Sequence, residues 1–136
     1  MKNRLVIGDK RVFAHVVSSV DIAAFDSGVV HHVCSTFALA KYIEWTSRLF
    51  IIEIMALTEE GIGTMLHIDH VSPAFVGDKL VFEATITSIN KNELFCNVVI
   101  HVKNRIIATS KTGQKLILKH RLNEIFSSLA TNGKNE

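Results

Sequence analysis

Proline occurs once and cysteine twice in 136 residues, with one tryptophan and one tyrosine. Each scarcity excludes something. A single proline leaves no room for a proline-rich linker or a collagen-like segment. Cys34 and Cys96 lie far apart and form no CxxC pair, so neither a disulfide framework nor a thiolate metal site is expected, and both thiols read as reduced. The longest apolar run, residues 49–57, is interrupted by Glu53 and falls well short of the roughly 20 residues that span a bilayer, so no membrane partner is expected. Asp9, Lys10 and Arg11 break the opening apolar stretch before a signal-peptide core could form, and the expected location is cytoplasmic.

Charge of one sign is also lacking. The 15 basic and 13 acidic residues are interspersed and leave a net charge of +2. No Lys/Arg stripe of the kind that gives a nucleic-acid binder its field appears, so nucleic acid is not an expected partner. Lys111, Lys115, Lys119 and Arg121 do gather near the C-terminus; on a strand they form a solvated face, the functional alternative being a landing for a phosphate-bearing tail. Gly61-Ile62-Gly63 lacks a third glycine and opens a strand rather than a helix, and no Gly-x-Ser-x-Gly elbow occurs. Dinucleotide-fold, P-loop and elbow-serine chemistries are therefore unsupported.

What is present is one domain's worth of alternating pattern, read as residues 1–136, with a core at about 12–119 and a polar tail at 130–136. Residues 11–20 are β-branched and aromatic and read as a strand. Residues 21–33 read as a loop or short helical lead-in, with Asp26-Ser27-Gly28 as a turn. Residues 36–57 are apolar on nearly every side, which predicts a long buried central helix capped by Ser35 or Thr36 and stopped at Thr58-Glu59-Glu60-Gly61. Period-two alternation then predicts four strands, from Gly61 to Val71 and over 79–89, 94–102 and 105–118, joined as consecutive antiparallel hairpins. Leu122, Ile125, Phe126 and Leu129 fall at helical spacing, giving a short amphipathic C-terminal helix. A single helix on one antiparallel sheet is an α+β layer architecture. One sheet of this size cannot cover such a helix on every side, so a homodimer is the default.

Several residues are candidates for chemistry. His67-Ile68-Asp69-His70 has the composition of a metal site, but alternation sends His67 and Asp69 to one face and His70 to the other, so no metal is expected. The same alternation puts His70 with Thr64, Leu66 and Ile68 on the face toward the helix, where it is either a satisfied core histidine or a general base. Glu44 sits on the buried helix between Ile43 and Trp45, where a carboxylate is costly unless paired, and Arg48 four residues on is a candidate partner. Thr36 alone reads as a helix cap. Cys34 is a packed thiol or, less simply, a nucleophile.

The run Cys34-Ser35-Thr36-Phe37-Ala38-Leu39-Ala40-Lys41-Tyr42-Ile43-Glu44-Trp45 resembles the fluoroacetyl-CoA thioesterase family of hotdog-fold proteins, in which a Thr precedes a Glu-Trp pair by eight residues. Gly63-Thr64, His70, Pro73 and the Val76-Gly77-Asp78-Lys79-Leu80 turn extend the likeness over roughly residues 12–119. The resemblance implies a hotdog fold, one long central helix wrapped by a five-stranded antiparallel sheet. It also implies hydrolysis of a small acyl-CoA thioester at a dimer-interface site, with Thr36, Glu44 and His70 as the catalytic set. Thr36 would orient, Glu44 would act as nucleophile or base, and His70 would activate water and pass protons. Gly63, Phe37 and Thr64 would contact substrate. No cofactor is implied beyond the coenzyme A of the substrate. The partners implied are that acyl-CoA and a second copy of the chain, with tetramers left open. The alternative is a hotdog domain that binds acyl-CoA or a related ligand without cleaving it. Two features differ from the family: Ser110-Lys111-Thr112-Gly113-Gln114 stands where it carries Gly-Thr-His and then Arg, and the loop with Phe25, His31 and His32 is unlike its lid. CoA contacts and acyl selectivity are therefore not carried over. One geometric condition follows: on a continuous helix Thr36 and Glu44 would lie about 12 Å apart along the axis. They could not then share a proton network, so the family reading requires the helix to begin after Thr36, with Thr36 folded back in the lead-in turn.

Overall fold

A computed structural model describes residues 4–25 and 28–134. Asp26 and Ser27, two thirds of the expected turn, lie outside them. Along the chain come β1 (Lys10–Val16), a 3-10 turn (Ser19–Asp21), β2 (Ile22–Phe25), β3 (Gly28–Cys34), α1 (Thr36–Ile54), β4 (Glu59–His70), β5 (Lys79–Asn90), β6 (Glu93–Val102), β7 (Arg105–Leu118) and α2 (Lys119–Lys134). The main sheet is antiparallel, in the order β1-β5-β6-β7-β4. α1 touches all five of its strands. Five strands laid flat span about 19 Å, nearly twice a helix diameter, so the sheet must curl around α1 to reach it with both edges. This is the hotdog arrangement.

Period-two burial builds the inner face: Leu80, Phe82, Ala84 and Ile86 from β5, and Leu94, Cys96, Val98 and Ile100 from β6, meet Leu39, Ile43, Phe50, Ile51 and Ile54 of α1. Each Leu, Ile or Phe so buried contributes about 1.5–3 kcal/mol before conformational entropy is set against it. Polar ties fix the helix in its groove. Ser47 Oγ and Thr112 Oγ1 pair at 2.7 Å inside the core. At the rim Arg11 grips Glu53 through Nε and Nη2 at 2.8 and 2.7 Å.

Several boundaries and pairings differ from the sequence reading, each for a tertiary reason. β1 stops at Val16 because Val17 exchanges backbone bonds with Gly77 and Asp78. Where a loop was expected, β2 and β3 pair antiparallel, anchored by bonds from Cys34 N to Ala74 O and from Ser35 N to Asp21 O. α1 ends at Ile54, not near Leu57, because the Glu59 carboxylate takes the Ala56 N–H and turns the chain straight into β4. β4 and β5 are not a hairpin: β5-β6-β7 is the meander, while β4 pairs with β7 at the far edge. The C-terminal helix is 16 residues long and takes up most of the expected polar tail. Its Phe126 and Leu129 are exposed.

Candidate active site

Ser35, not Thr36, caps α1: its Oγ accepts from Ala38 N at 3.0 Å. This frees Thr36, the first helical residue, whose Oγ1 lies 2.9 Å from His70 Nδ1. His70 stands at the end of β4, its Nε2 buried and without a hydrogen-bond partner among the described residues. With Nδ1 bonded to Thr36, Nε2 is the ring nitrogen left for a further partner.

Glu44 lies in a different place. α1 is continuous from Thr36 to Ile54, so the helix does not begin after Thr36 as the family reading required: Ser35 is the cap outside it, and Thr36 and Glu44 of one chain are separated by about 12 Å of helix axis. The expected Glu44–Arg48 pair is absent as well. Arg48 instead donates to Glu60 Oε1 at 2.9 Å and to Gly61 O at 3.0 Å, and the Arg48 hydrogen bond leads the causes that hold the Glu60 carboxyl below its ordinary value. Glu44 keeps an exposed carboxylate without a hydrogen bond or ion pair among the described residues. It borders a cleft of about 430 Å³ between the two edges of the curled sheet, walled by Phe13, Tyr42 and Trp45 with Gly63 and Gln114 at its side. Glu44 Oε1 comes within 3.5 Å of where a Cβ on Gly63 would sit.

Two expected substrate residues are not in this cleft. Phe37, in the first turn of α1, is 85% exposed beside Thr36. Thr64 occupies a bulge in the β4–β7 ladder, between the Gly63–Gln114 and Met65–Gly113 pairs. The extra residue reverses the alternation: Thr64 lies over Gly113 with Phe95 and Met65, and its Oγ1 donates to Glu93 Oε2 at 2.6 Å on the outer face. It therefore does not share the face of Leu66, Ile68 and His70. His67 and Asp69 pair at 3.1 Å on that outer side, as alternation predicts.

A buried network supports the cleft wall. Asp21 accepts from His15 Nε2 at 2.7 Å, from Ser18 N at 2.9 Å and from Tyr42 Oη at 2.9 Å. The His15 and Tyr42 rings stack with centroids 4.1 Å apart. Cys34 is fully buried, and burial followed by the Asp21 charge pushes its thiol up to about 11. A thiol so rarely ionised is packing, not a nucleophile. Sequence reasoning overlooked Asp21, Tyr42, Phe13 and Gln114 as site residues. Of these only Gln114 left a trace, a polar residue in the inward-facing period of β7.

The curled sheet around a central helix defines a hotdog protein, with an unpaired carboxylate in a cleft beside the helix. The family model of the fluoroacetyl-CoA-specific thioesterase, FlK, matches residues 17–120. The chain belongs to that family and is an acyl-CoA thioesterase. Among solved structures it is similar to a Thermus thermophilus hypothetical protein described as a thioesterase superfamily member, at 24% identity over 98% of both chains and a TM-score of 0.90. It is also similar to the fluoroacetyl-CoA thioesterase FlK, at 15% identity over 93% of this chain and 98% of that one, TM-score 0.84. A hot-dog-like protein from Thermanaerovibrio acidaminovorans aligns at 15% identity over 90% of both chains, TM-score 0.82. Comparison with curated proteins gives no match. Among the described residues no helix is long and apolar enough to cross a membrane.

Proposed function

We propose that the chain hydrolyses a small acyl-CoA thioester at a site completed by dimerisation, with Glu44 from one subunit and the Thr36–His70 pair from the other. The observation that carries this is the separation of two half-sites along one unbroken helix: a free carboxylate at Glu44, and a bonded imidazole at His70 with its Nε2 unused. β4 is a long strand at the sheet edge with exposed Met65 and Leu66, the kind of edge that proteins protect by pairing it. If two copies pair antiparallel about a two-fold axis between Leu66 and His67, Gly63 of one lies opposite His70 of the partner subunit. Glu44, beside Gly63, then meets the partner's Thr36 and His70. Phe37 would close the acyl pocket from across the interface.

In this site Glu44 takes the proton of the attacking water, while the partner's His70, oriented by Thr36 at Nδ1, passes a proton to the departing sulfur through Nε2. Lys41 lines the cleft and offers a cation to an anionic CoA substrate. Solved complexes of the fluoroacetyl-CoA thioesterase contain fluoroacetate and CoA, or acetyl-CoA, which supports an acyl-CoA for this chain too. Two buried free thiols suit a cytoplasmic setting.

The test is thiol release, followed with a disulfide dye, across short, branched, aromatic and long acyl-CoAs. The native protein should turn over at least one class, and Glu44→Ala should lose about 10²–10⁴ in kcat while remaining folded. Equal rates in native and variant would overturn the role of Glu44. Calorimetric binding of intact acyl-CoA with no thiol release would favour the non-hydrolytic binding alternative.

A further inference from the structure

β7 turns three buried polar side chains toward the helix, and two of them are satisfied. Ser110 Oγ donates to Val98 O at 3.1 Å, and Thr112 Oγ1 pairs with Ser47 Oγ. The third, Gln114, is 3% exposed, and its side chain bonds to none of the described residues. The amide makes no bond among the described residues and opens to the cleft that Gln114 lines, so its hydrogen-bonding capacity is left for a ligand there. Gln114 sits directly across the β4–β7 ladder from Gly63. Its Nε2 is 3.8 Å from where a Gly63 Cβ would stand, and Glu44 Oε1 is 3.5 Å from the same point. The missing side chain of Gly63 leaves a notch with an acceptor-only carboxylate on one wall and a neutral two-proton donor on the other.

We propose that Gln114 binds the substrate's thioester carbonyl through Nε2–H and holds the oxyanion formed on it, in the notch above Gly63 and facing Glu44. The inference rests on the thioesterase reading of this cleft. As water adds to the carbonyl carbon, its proton passes to the Glu44 carboxylate and the C=O π pair moves onto oxygen, where the amide N–H receives it. When the C–S bond breaks, that pair re-forms C=O and the thiolate leaves with the proton Glu44 accepted, relayed through the partner's His70. An amide suits the position better than lysine would. It donates without titrating and without forming an ion pair that would occupy Glu44.

The experiment uses a ketone analogue of butyryl-CoA, with a methylene in place of sulfur, bound to native protein, Gln114→Met and Gln114→Leu. In the native complex the ketone stretch should move to lower wavenumber than for the free analogue, and in both variants it should return toward the free position. Melting temperatures should stay near native in the variants, because the amide makes no bond to the described residues that its replacement would break. With a hydrolysable substrate kcat should fall about 10²- to 10³-fold, with KM within about threefold. An unmoved band in the variants, or both variants melting well below native, would overturn the assignment. A Gln114-dependent band shift in a protein that hydrolyses no acyl-CoA would sustain the carbonyl site and sink the hydrolytic reading. Failure of the analogue to bind a native protein that hydrolyses butyryl-CoA would sink the carbonyl site and leave the hydrolytic reading standing.

Discussion

Asp21 is 3% exposed, and burial by itself would push its carboxyl up. Bonds from Ser18 N–H, His15 and Tyr42, with the field of His15, outweigh burial and hold it below its ordinary value. A depressed folded pKa adds stability that is present above the unfolded value of about 3.9 and is lost as pH falls through the folded one. Tyr42 behaves oppositely. Burial first, then the Asp21 bond and charge, push its phenol up to about 12, so stability is full below the unfolded value of about 10 and declines as pH rises from there. Asp21→Asn should cost about 1–3 kcal/mol at neutral pH, flatten the acid limb of stability, and lower the Tyr42 midpoint. Urea midpoints taken below neutral pH, and near-UV phenolate absorbance of the chain's one tyrosine, read both effects; an unchanged acid limb would contradict this account. Glu44 was legible in the sequence as a carboxylate needing an explanation on an apolar helix. That Arg48 would turn to Glu60 was not, because the turn that brings Glu60 back beside α1 is a tertiary event.

Along β4, two glycines separated by Ile62 serve different ends. A Cβ on Gly61 would run into Ile51 Cγ2 and crowd Arg48, whereas one on Gly63 meets only ordinary contacts with Glu44 and Gln114. Gly61→Ala should therefore destabilise the fold by about 1–3 kcal/mol. Gly63→Ala should leave the denaturation midpoint near native and reduce turnover by filling the notch. Urea denaturation and thiol release on the two variants separate these outcomes; a marked loss of stability in Gly63→Ala would show that this glycine serves packing. The strand itself was legible from its alternation, but the bulge at Thr64 was not. It exists because the ladder with β7 shifts there, above a Gly113 that has no side chain to oppose it. That shift is why Thr64 was misplaced while Ile68 and His70 were not.

For the whole molecule, the decisive prediction concerns composite sites. Glu44→Ala and His70→Ala homodimers should each be inactive, yet subunit exchange between them should restore activity. In the mixed dimer one site receives both substitutions and the other receives neither. With random exchange, half the dimers are mixed and one of their two sites is intact, giving about a quarter of native turnover. No recovery under confirmed exchange would place all three groups in one chain. Leu66→Lys should act on the same interface, setting two cations near the two-fold axis. Sedimentation should then show monomer, and turnover should fall with secondary structure retained.

The sequence by itself determined the helix-on-sheet class, the strands of the β5-β6-β7 meander and the residues worth suspecting. Periodicity is a local property, and a carboxylate or histidine on an apolar face is conspicuous without coordinates. Only the tertiary structure decided where β4 pairs, which residue caps α1, that β2 pairs with β3, and that Gln114 shares the notch at Gly63 with Glu44. Each of these depends on bonds between segments distant in sequence, in which one backbone or side-chain partner outcompetes another, and local pattern carries no information about that competition.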